Sequence, residues 1–155
     1  MSFDRQLITT DFKGYSITTD KNVMVMHDVY DWLSQKAYWC AGIPFELFKA
    51  AFDNSFCIGA IKDGKQVAYC RLVTDYATFA YLADVFVENE HRGQGISKKM
   101  MQLLFDIDWV RGLRRIMLAT RDAHGLYRQF EFAECKHPDR IMEITRPDIY
   151  TTAVP

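Results

Sequence analysis

The stretch Glu90–Met101, EHRGQGISKKMM, places two glycines and three basic residues within eight positions. A strand-like run, YLADVFV, precedes it, and a helix-like run, ISKKMMQLLFDIDWV, follows it. A glycine-rich turn at the start of a helix exposes backbone N–H groups, and the helix dipole adds positive potential there. The stretch therefore predicts a site for a phosphate-bearing ligand.

Outward from this stretch, strand-like and helix-like segments follow one another along the chain. Hydrophobic periodicity marks the helices, and the turn signal Asp63-Gly64 marks a hairpin. The predicted strands are 15–20, 55–61, 66–74, 79–87, 114–120 and 140–145, and the predicted helices are 28–39, 44–53, 96–107 and 123–132. This order, β-α-α-β-β-β-α-β-α-β, predicts an α/β layered sheet with hairpins and one β-α-β crossover. Residues 1–14 are expected to be loosely held.

The composition is that of an ordinary globular domain, and residues 1–155 are expected to form one domain. Hydrophobic residues make up 49% and charged residues 25% of the chain, and the net charge is −1. Without a basic excess, no nucleic-acid partner is expected. No signal peptide or 18-residue apolar run is seen in the sequence, so a cytoplasmic protein without membrane contact is expected. The four cysteines lack C-x-x-C spacing, which predicts free thiols and no metal site.

Three phosphate-loop templates compete for the letters RGQGISKK. The Walker loop is excluded because no Gly-Lys-Ser/Thr follows at its spacing. The dinucleotide fingerprint G-x-G-x-x-G matches at Gly93 and Gly95 only, since Lys98 stands at its third glycine. The fingerprint also expects the first strand of a domain, whereas this loop follows about the fourth. The third template, [QR]-x-x-G-x-[GA], fits Arg92–Ser97 better.

That third motif is typical of the GNAT superfamily of N-acetyltransferases, which this chain resembles. The segment ADVFVENEHRGQGISKKMMQLLF is similar to the family's strand, loop and helix for acyl-coenzyme A. The segment LYRQFEF (126–132) resembles the family's LYxxxGF. The resemblance covers residues 24–145, with the core motifs in 80–132. It implies a mixed, mostly antiparallel central sheet flanked by helices, and acetyl-CoA as the co-substrate.

The resemblance also implies where acetyl-CoA would bind. Backbone groups of the strand before the loop would polarise the acyl carbonyl and pair with the pantetheine arm. The expected binding residues are Val85, Phe86, Val87, Arg92, Gly93, Gln94, Gly95, Ile96, Ser97, Lys98 and Tyr127. Two positions depart from the family pattern. Ser97 replaces a Gly or Ala, and its hydroxyl is expected to bond a phosphate oxygen, although crowding of the pyrophosphate is an open alternative. Glu131 replaces the Gly of LYxxxGF, which puts the local turn in question.

Three side chains are candidates for the proton transfers of acyl transfer. By the resemblance, Tyr127 protonates the departing sulfur. Asp84 is the one carboxylate in an apolar strand, which is a common setting for a general base, and a purely structural carboxylate is the open alternative. His124 lies three residues before Tyr127, so it can relay a proton, contact coenzyme A or simply begin the helix.

The acceptor is expected at the aromatic stretch QKAYWCAGIPF, between the two N-terminal helices. Tyr38, Trp39 and Phe45 suit an amine, although simple packing of the helices on the sheet is an open alternative. The predicted function is transfer of an acetyl group from acetyl-CoA to a primary amine of a small molecule or peptide. A CoA-binding sensor without catalysis is the main alternative, and a cysteine hydrolase using Cys40 or Cys70 is a weaker one. Pairing into a homodimer is a further expectation.

Overall fold

The protein forms one six-stranded sheet with helices against it. The computed structural model describes residues 7–152. The strands are β1 (Thr9–Phe12), β2 (Tyr15–Thr18), β3 (Phe56–Lys62), β4 (Lys65–Thr74), β5 (Phe79–Val87) and β6 (Arg115–Met117). The helices are α1 (Met26–Gln35), α2 (Phe45–Asp53), α3 (Ile96–Phe105), α4 (Asp108–Arg111) and α5 (His124–Arg128). Two 3₁₀ turns occupy Asn89–His91 and Pro138–Arg140.

Strands that are neighbours in the sequence are also neighbours in the sheet, which runs in the order β1 to β6. Every neighbouring pair is antiparallel except β5 and β6, which are parallel. Helices α3 and α4 form the crossover that parallel strands require. The predicted fold class, a mostly antiparallel mixed sheet flanked by helices, is confirmed.

Consecutive residues of β4 face opposite sides of the sheet and therefore build two separate cores. Cys70 packs in one cluster with Met100 and Leu104 of α3. Tyr69, its neighbour in sequence, packs in a second cluster with Trp32 of α1. The sheet is thus covered by α3 on one face and by α1 and α2 on the other.

The hairpin between β3 and β4 turns at Asp63-Gly64, as predicted. Both residues have positive φ, 50° and 74° respectively. Two successive left-handed residues match the right-handed twist of the flanking strands, and Asp-Gly is a favoured pair for this turn. The tight turn fixes the register with which β3 and β4 pair.

Several predicted boundaries are wrong: α1 (Met26–Gln35) was expected over 28–39 and α5 (His124–Arg128) over 123–132. The segment Thr9–Phe12, within the stretch expected to be loose, forms β1 and pairs with β2. Its burial alternates between exposed and half-buried, so its pattern is too polar to stand out in the sequence. The long helix that was expected after the glycine stretch ends at Phe105, and the chain turns before α4 begins. Residues 1–6, part of the same expected loose segment, lie outside the described residues.

The prediction of a last strand over residues 140–145 is also wrong. Residues 141–146 have no regular structure and are exposed. The apolar alternation of this segment is that of a strand, but no neighbouring strand within residues 7–152 pairs with it. Strand β6 is also shorter than predicted and ends at Met117.

Candidate active site

Strand β5 is distorted by a bulge at Asp84. The pairing with β4 passes from Arg71–Ala83 to Tyr69–Phe86, so Asp84 and Val85 lie opposite a single residue. Asp84 has φ 57°, a left-handed conformation that aspartate tolerates better than most residues. A bulge bends its strand and releases backbone groups from the ladder.

Beyond the bulge, β5 also loses its neighbour on the other side. Strand β6 pairs only with Phe79–Tyr81, so the two parallel strands separate towards their carboxyl ends. A cavity of about 820 Å³ opens in the gap. It is lined by Leu82–Val87 on one side and Leu118–Ala123 on the other. The open edge of β5 therefore faces this cavity.

The glycine stretch forms the turn into α3 at the rim of this cavity. Gly93 and Gly95 have positive φ, 78° and 82°, and Gly95 is the N-cap residue. A Cβ placed on Gly93 would meet nothing within 4 Å, so the backbone there faces open space. No side chain within the described residues caps this helix end. The first-turn N–H groups of α3 are therefore open to an anion.

Contacts on both sides hold this loop in place. Arg92 donates through Nε to the carbonyl of Val87 at 3.0 Å, which ties the loop back to β5. Lys13, in the β1–β2 turn, donates through Nζ to the carbonyl of Gln94 at 3.0 Å. The hydroxyl of Tyr15 and Nδ1 of His91 are 2.9 Å apart. The N-terminal hairpin thus braces the glycine loop, a role that the sequence reasoning missed because it did not find β1.

The carboxylate of Asp84 has two partners. It accepts a hydrogen bond from Arg71 Nε at 2.6 Å through one oxygen and from Trp39 Nε1 at 2.9 Å through the other. Arg71 also donates through Nη1 to Ser55 Oγ at 2.9 Å. Each carboxylate oxygen keeps a second lone pair, which can accept a further hydrogen bond. Arg71 was not singled out from the sequence, since it lies on another strand and no local spacing marks the pair.

Tyr127 is buried in α5 and lines the same cavity. Burial raises the pKa of its phenol to about 12, and the nearby Cys70 and Asp122 contribute to the rise. The phenol is therefore a proton donor throughout the neutral range. His124, one turn earlier, is exposed and lines a neighbouring groove rather than this cavity. The structure brings Tyr127 and Asp84 to one cavity and leaves His124 outside it.

All the expected acetyl-CoA residues except Gln94 line the cavity. The side chain of Gln94 does not, although its carbonyl is the group that Lys13 holds. The ring of Phe86 stacks on that of Trp32, with the ring centroids 4.1 Å apart, and both residues line the cavity. Of the aromatic residues expected at the acceptor site, Tyr38 and Trp39 line the cavity. Phe45 instead stacks on His27 at 5.2 Å.

Arg121 adds a positively charged side chain to the cavity that Tyr38 and Trp39 also line. Its guanidinium lies 3.7 Å from the ring centroid of Tyr38, a geometry in which cation and ring attract. This contact joins the α1–α2 connection to the segment after β6, across the open side of the cavity. The sequence reasoning did not single out Arg121.

Cys40 and Cys70, the two cysteines considered for a hydrolase, are poor candidates for a nucleophile. Burial raises the pKa of Cys40 to about 12, and it raises the pKa of the fully buried Cys70 as well. Both are therefore thiols rather than thiolates near neutral pH, which opposes the hydrolase alternative.

Among residues 7–152, no group of three or more His, Cys, Asp or Glu is placed to hold a metal ion. Within the same range, no helix has the length and apolar character needed to span a membrane.

Comparison with known proteins agrees with this geometry. The model of the Acetyltransferase (GNAT) family matches residues 26–132. This chain belongs to the GNAT acetyltransferase family. A Gibberella zeae protein that bears a provisional acetyltransferase name is 31% identical over 134 residues, which cover 73% of this chain and 75% of that protein.

Solved GNAT structures extend the comparison to the whole sheet. A crystal structure from Xanthomonas campestris pv. campestris, provisionally described as a GNAT-family acetyltransferase, is 42% identical with a TM-score of 0.87. It covers 92% of this chain and 100% of its own. A Clostridium acetobutylicum structure determined with acetyl-CoA has a TM-score of 0.60 at 15% identity, covering 89% of this chain and 96% of its own. This last likeness shows the fold alone. The family match begins at residue 26, so the β1–β2 hairpin that braces the GNAT loop lies outside it.

Proposed function

We propose that this protein is an N-acetyltransferase that moves an acetyl group from acetyl-CoA to a primary amine of a small molecule or peptide. One observation carries the proposal. The uncapped glycine turn, the open edge of β5 and the buried phenol of Tyr127 all border a single cavity. An anion site, a row of backbone groups and a proton donor are what transfer from a thioester of coenzyme A requires.

The residues at the turn fit a pyrophosphate. The first-turn N–H groups of α3 are free to donate to phosphate oxygens, and Lys98 adds positive charge at the cavity. Ser97 also lines the cavity, so its hydroxyl can donate a further hydrogen bond. Arg92 already contacts Val87, so its main part is to hold the loop. The whole chain, residues 1–155, is taken as one acyltransferase domain, since a single sheet carries all of these groups.

The proposed reaction is a direct transfer. Backbone N–H groups at Val85 and Val87 would donate to the acyl oxygen and stabilise the charge that develops on it. The acceptor nitrogen forms a bond to the acyl carbon as the carbon–sulfur bond breaks. Tyr127 gives its proton to the departing sulfur and regains one from solvent. The amine loses one proton in the same cycle, so the exchange of protons balances.

The group that takes the proton from the amine is proposed to be Asp84, acting through a water molecule. The hydrogen bonds from Arg71 and Trp39 hold Asp84 in place, and the second lone pair of each carboxylate oxygen can accept a hydrogen bond from that water molecule. His124 would act only as an outer proton relay, since it lies in the neighbouring groove. Tyr38, Trp39 and Arg121 are the proposed walls of the acceptor site.

The second candidate function is a coenzyme A sensor that binds acetyl-CoA without catalysis. The observation that favours it is that Asp84 is held by hydrogen bonds from Arg71 and Trp39, which suits a structural carboxylate. In either function the protein is proposed to act in the cytoplasm, which is consistent with four free cysteines. Its proposed partners are a small amine and a second copy of itself, rather than a nucleic acid or a membrane.

A panel of amines separates these functions. The protein is mixed with acetyl-CoA and each amine, and the release of the coenzyme A thiol is followed with a thiol-reactive dye. If the protein is an N-acetyltransferase, thiol release should depend on one class of amine and should be absent without protein. Thermal stabilisation by acetyl-CoA without thiol release for any amine would favour the sensor. If acetyl-CoA does not stabilise the protein and no amine causes thiol release, both functions are contradicted.

A further inference from the structure

Two consecutive aromatic residues separate an acidic side chain from a basic one on the wall of the cavity. Trp39 donates through Nε1 to a carboxylate oxygen of Asp84 at 2.9 Å. The ring of Tyr38 meets the ring of Trp39 edge-on, with the centroids 5.1 Å apart, and the guanidinium of Arg121 lies 3.7 Å from the Tyr38 centroid. All four residues line the cavity. An anionic and a cationic group therefore stand at opposite ends of one aromatic pair.

The protein neutralises one of these two charges and not the other. Arg71 donates to Asp84 at 2.6 Å, so the charge of this carboxylate is offset by a cation. Within residues 7–152, the guanidinium of Arg121 contacts Tyr38 and forms no ion pair or hydrogen bond. Arg121 is also exposed, so a ligand in the cavity can reach it. The cation at this end of the aromatic pair is therefore open to a negatively charged partner.

The next residue, Asp122, does not act as that partner. It lines the cavity as well, but its charge acts on Tyr127, whose pKa it helps to raise. Arg121 instead lies on Tyr38, so the two consecutive side chains serve different parts of the cavity. A guanidinium that contacts a ring through its face keeps its N–H donors in its own plane. Those donors can still bind an anion.

The other basic side chains that line the cavity belong to the glycine turn and the residues beside it. They are His91, Arg92 and Lys98. Arg92 donates to the carbonyl of Val87, and Lys98 lies in the first turn of α3, where the pyrophosphate is proposed to bind. Arg121, by contrast, follows β6 and contacts the α1–α2 connection, on the side proposed for the acceptor. An anion held by Arg121 would therefore belong to the acceptor and not to coenzyme A.

We propose that the acceptor is a small amine that also carries an acidic group, and that Arg121 binds this group. The inference rests on the proposed acetyl transfer, because it concerns the acceptor of that reaction. A carboxylate or a phosphonate-type group can accept paired hydrogen bonds from a guanidinium. The nitrogen of the bound acceptor would then lie towards Asp84, next to Val85, whose N–H is proposed to hold the acyl oxygen. Arg121 thus determines specificity by orienting the amine towards the acyl carbon.

Matched amines test the proposal through the release of the coenzyme A thiol. Phenylalanine, 4-aminobutanoate and 3-aminopropylphosphonate are each compared with a neutral partner: the carboxamides of the first two and the diethyl ester of the third. The kcat/KM is calculated on the concentration of unprotonated amine, so that differences in basicity cancel. For at least one pair it should be at least about tenfold higher for the acid. Comparing the carboxylates with the phosphonate shows which kind of anion the site takes.

Variants of the proposed anion site assign this preference to one side chain. Arg121→Gln removes the charge and should lower kcat/KM for the acid about tenfold more than for its neutral partner. Arg121→Lys keeps the charge without the planar fork and should lose less. Tyr38→Leu removes the ring under the guanidinium and should also reduce the preference for the acid. The control, Arg111→Gln, changes an exposed arginine of α4 that does not line the cavity, and it should leave the preference intact.

The outcomes separate a failure of this proposal from a failure of acetyl transfer. Thiol release at equal kcat/KM for acids and neutral partners would overturn the acidic acceptor and leave acetyl transfer intact. A preference for the acid that survives Arg121→Gln would overturn the role of Arg121.

If no amine releases the thiol, acetyl transfer fails, and calorimetric titration of the same amines in the presence of coenzyme A decides the anion site. Coenzyme A has no acyl group to transfer, so binding is measured without reaction. Tighter binding of an acid than of its neutral partner, lost in Arg121→Gln, would retain Arg121 as an anion site. Equal binding within every pair, or no binding, would overturn this proposal as well.

Discussion

Arg71 donates through Nε to Asp84 across 2.6 Å, and the two side chains are 19% and 13% exposed. The pair joins β4 to the bulge in β5 at the point where the cavity opens. Trp39 completes the arrangement by donating to the second oxygen of Asp84, which ties the α1–α2 connection to the sheet. The ion pair therefore shapes the end of the cavity that is proposed to hold the acceptor.

Replacing Arg71 with Met should destabilise the protein by about 2 kcal/mol, since a nearly buried carboxylate would lose its cation. Urea denaturation measures the change. The matched control is Lys36→Met, which removes the exposed pair with Glu88 and should cost less than about 0.5 kcal/mol. Adding Asp84→Asn to Arg71→Met should recover part of the loss, because the unpaired charge is then gone. Equal losses for the two Met variants would mean that the buried pair has no special importance.

Replacing Tyr127 with Phe should lower kcat by about 100-fold or more, the usual effect of losing a general acid. The KM for acetyl-CoA should change little, because the ring remains in place. Steady-state kinetics with the amine found in the panel gives both constants. Tyr30→Phe is the control, since its hydroxyl donates to Ile43 in the helical layer and not in the cavity. An unchanged kcat for Tyr127→Phe would remove Tyr127 from the acid role.

The stability of the protein should depend on Tyr127 at high pH. Burial raises the pKa of its phenol to about 12 from an ordinary value of 10.0. The folded protein then holds this proton more tightly than the unfolded chain does. Its contribution is complete below pH 10 and is lost as the pH rises towards 12. We expect the free energy of unfolding to fall more steeply for the wild type than for Tyr127→Phe over that range. Parallel curves would contradict the burial of the phenol.

Glu131 is a non-glycine residue in a left-handed conformation, with φ 68°. It lies three residues after α5 ends at Arg128, in the turn that Phe132 closes by donating its N–H to the carbonyl of Tyr127, where glycine is common. Replacing it with Gly should raise the free energy of unfolding by about 0.5–1 kcal/mol, because the Cβ strain is removed. Gln129→Gly, where φ is −65°, should instead destabilise by a similar amount. Thermal melting of both variants measures the difference, and a loss of stability in Glu131→Gly would show that its side chain matters more than its backbone.

The parts of the fold that local chemistry determines were predictable from the sequence. Asp63-Gly64 specified its hairpin, and the glycine stretch specified the turn into α3, because each needs left-handed residues at set positions. Glu131, which stands where the family pattern has a Gly and which put the local turn in question, has a positive φ. These features depend on a few adjacent residues, so a short pattern contains them.

The parts that depend on distant partners were not predictable. Arg71 and Asp84 lie on different strands, and the residues next to either one carry no pattern that predicts their ion pair. The bulge at Asp84 arises from the register of two strands, which the pattern of one strand does not fix. The segment 140–145 has the alternating pattern of a strand, but no strand among residues 7–152 pairs with it. The pattern alone does not determine whether a segment becomes a strand, because a strand also needs a neighbour.

The central claim is that the glycine turn holds acetyl-CoA, and calorimetric titration with acetyl-CoA tests it most directly. The comparison is between Gly95→Val, at the turn, and Gly64→Val, in the β3–β4 hairpin. Both glycines have positive φ, 82° and 74°, so both replacements strain the backbone alike. The wild type and Gly64→Val should bind acetyl-CoA with the same affinity, while Gly95→Val should show no binding. Full affinity in Gly95→Val, or no binding by the wild type, would contradict the account.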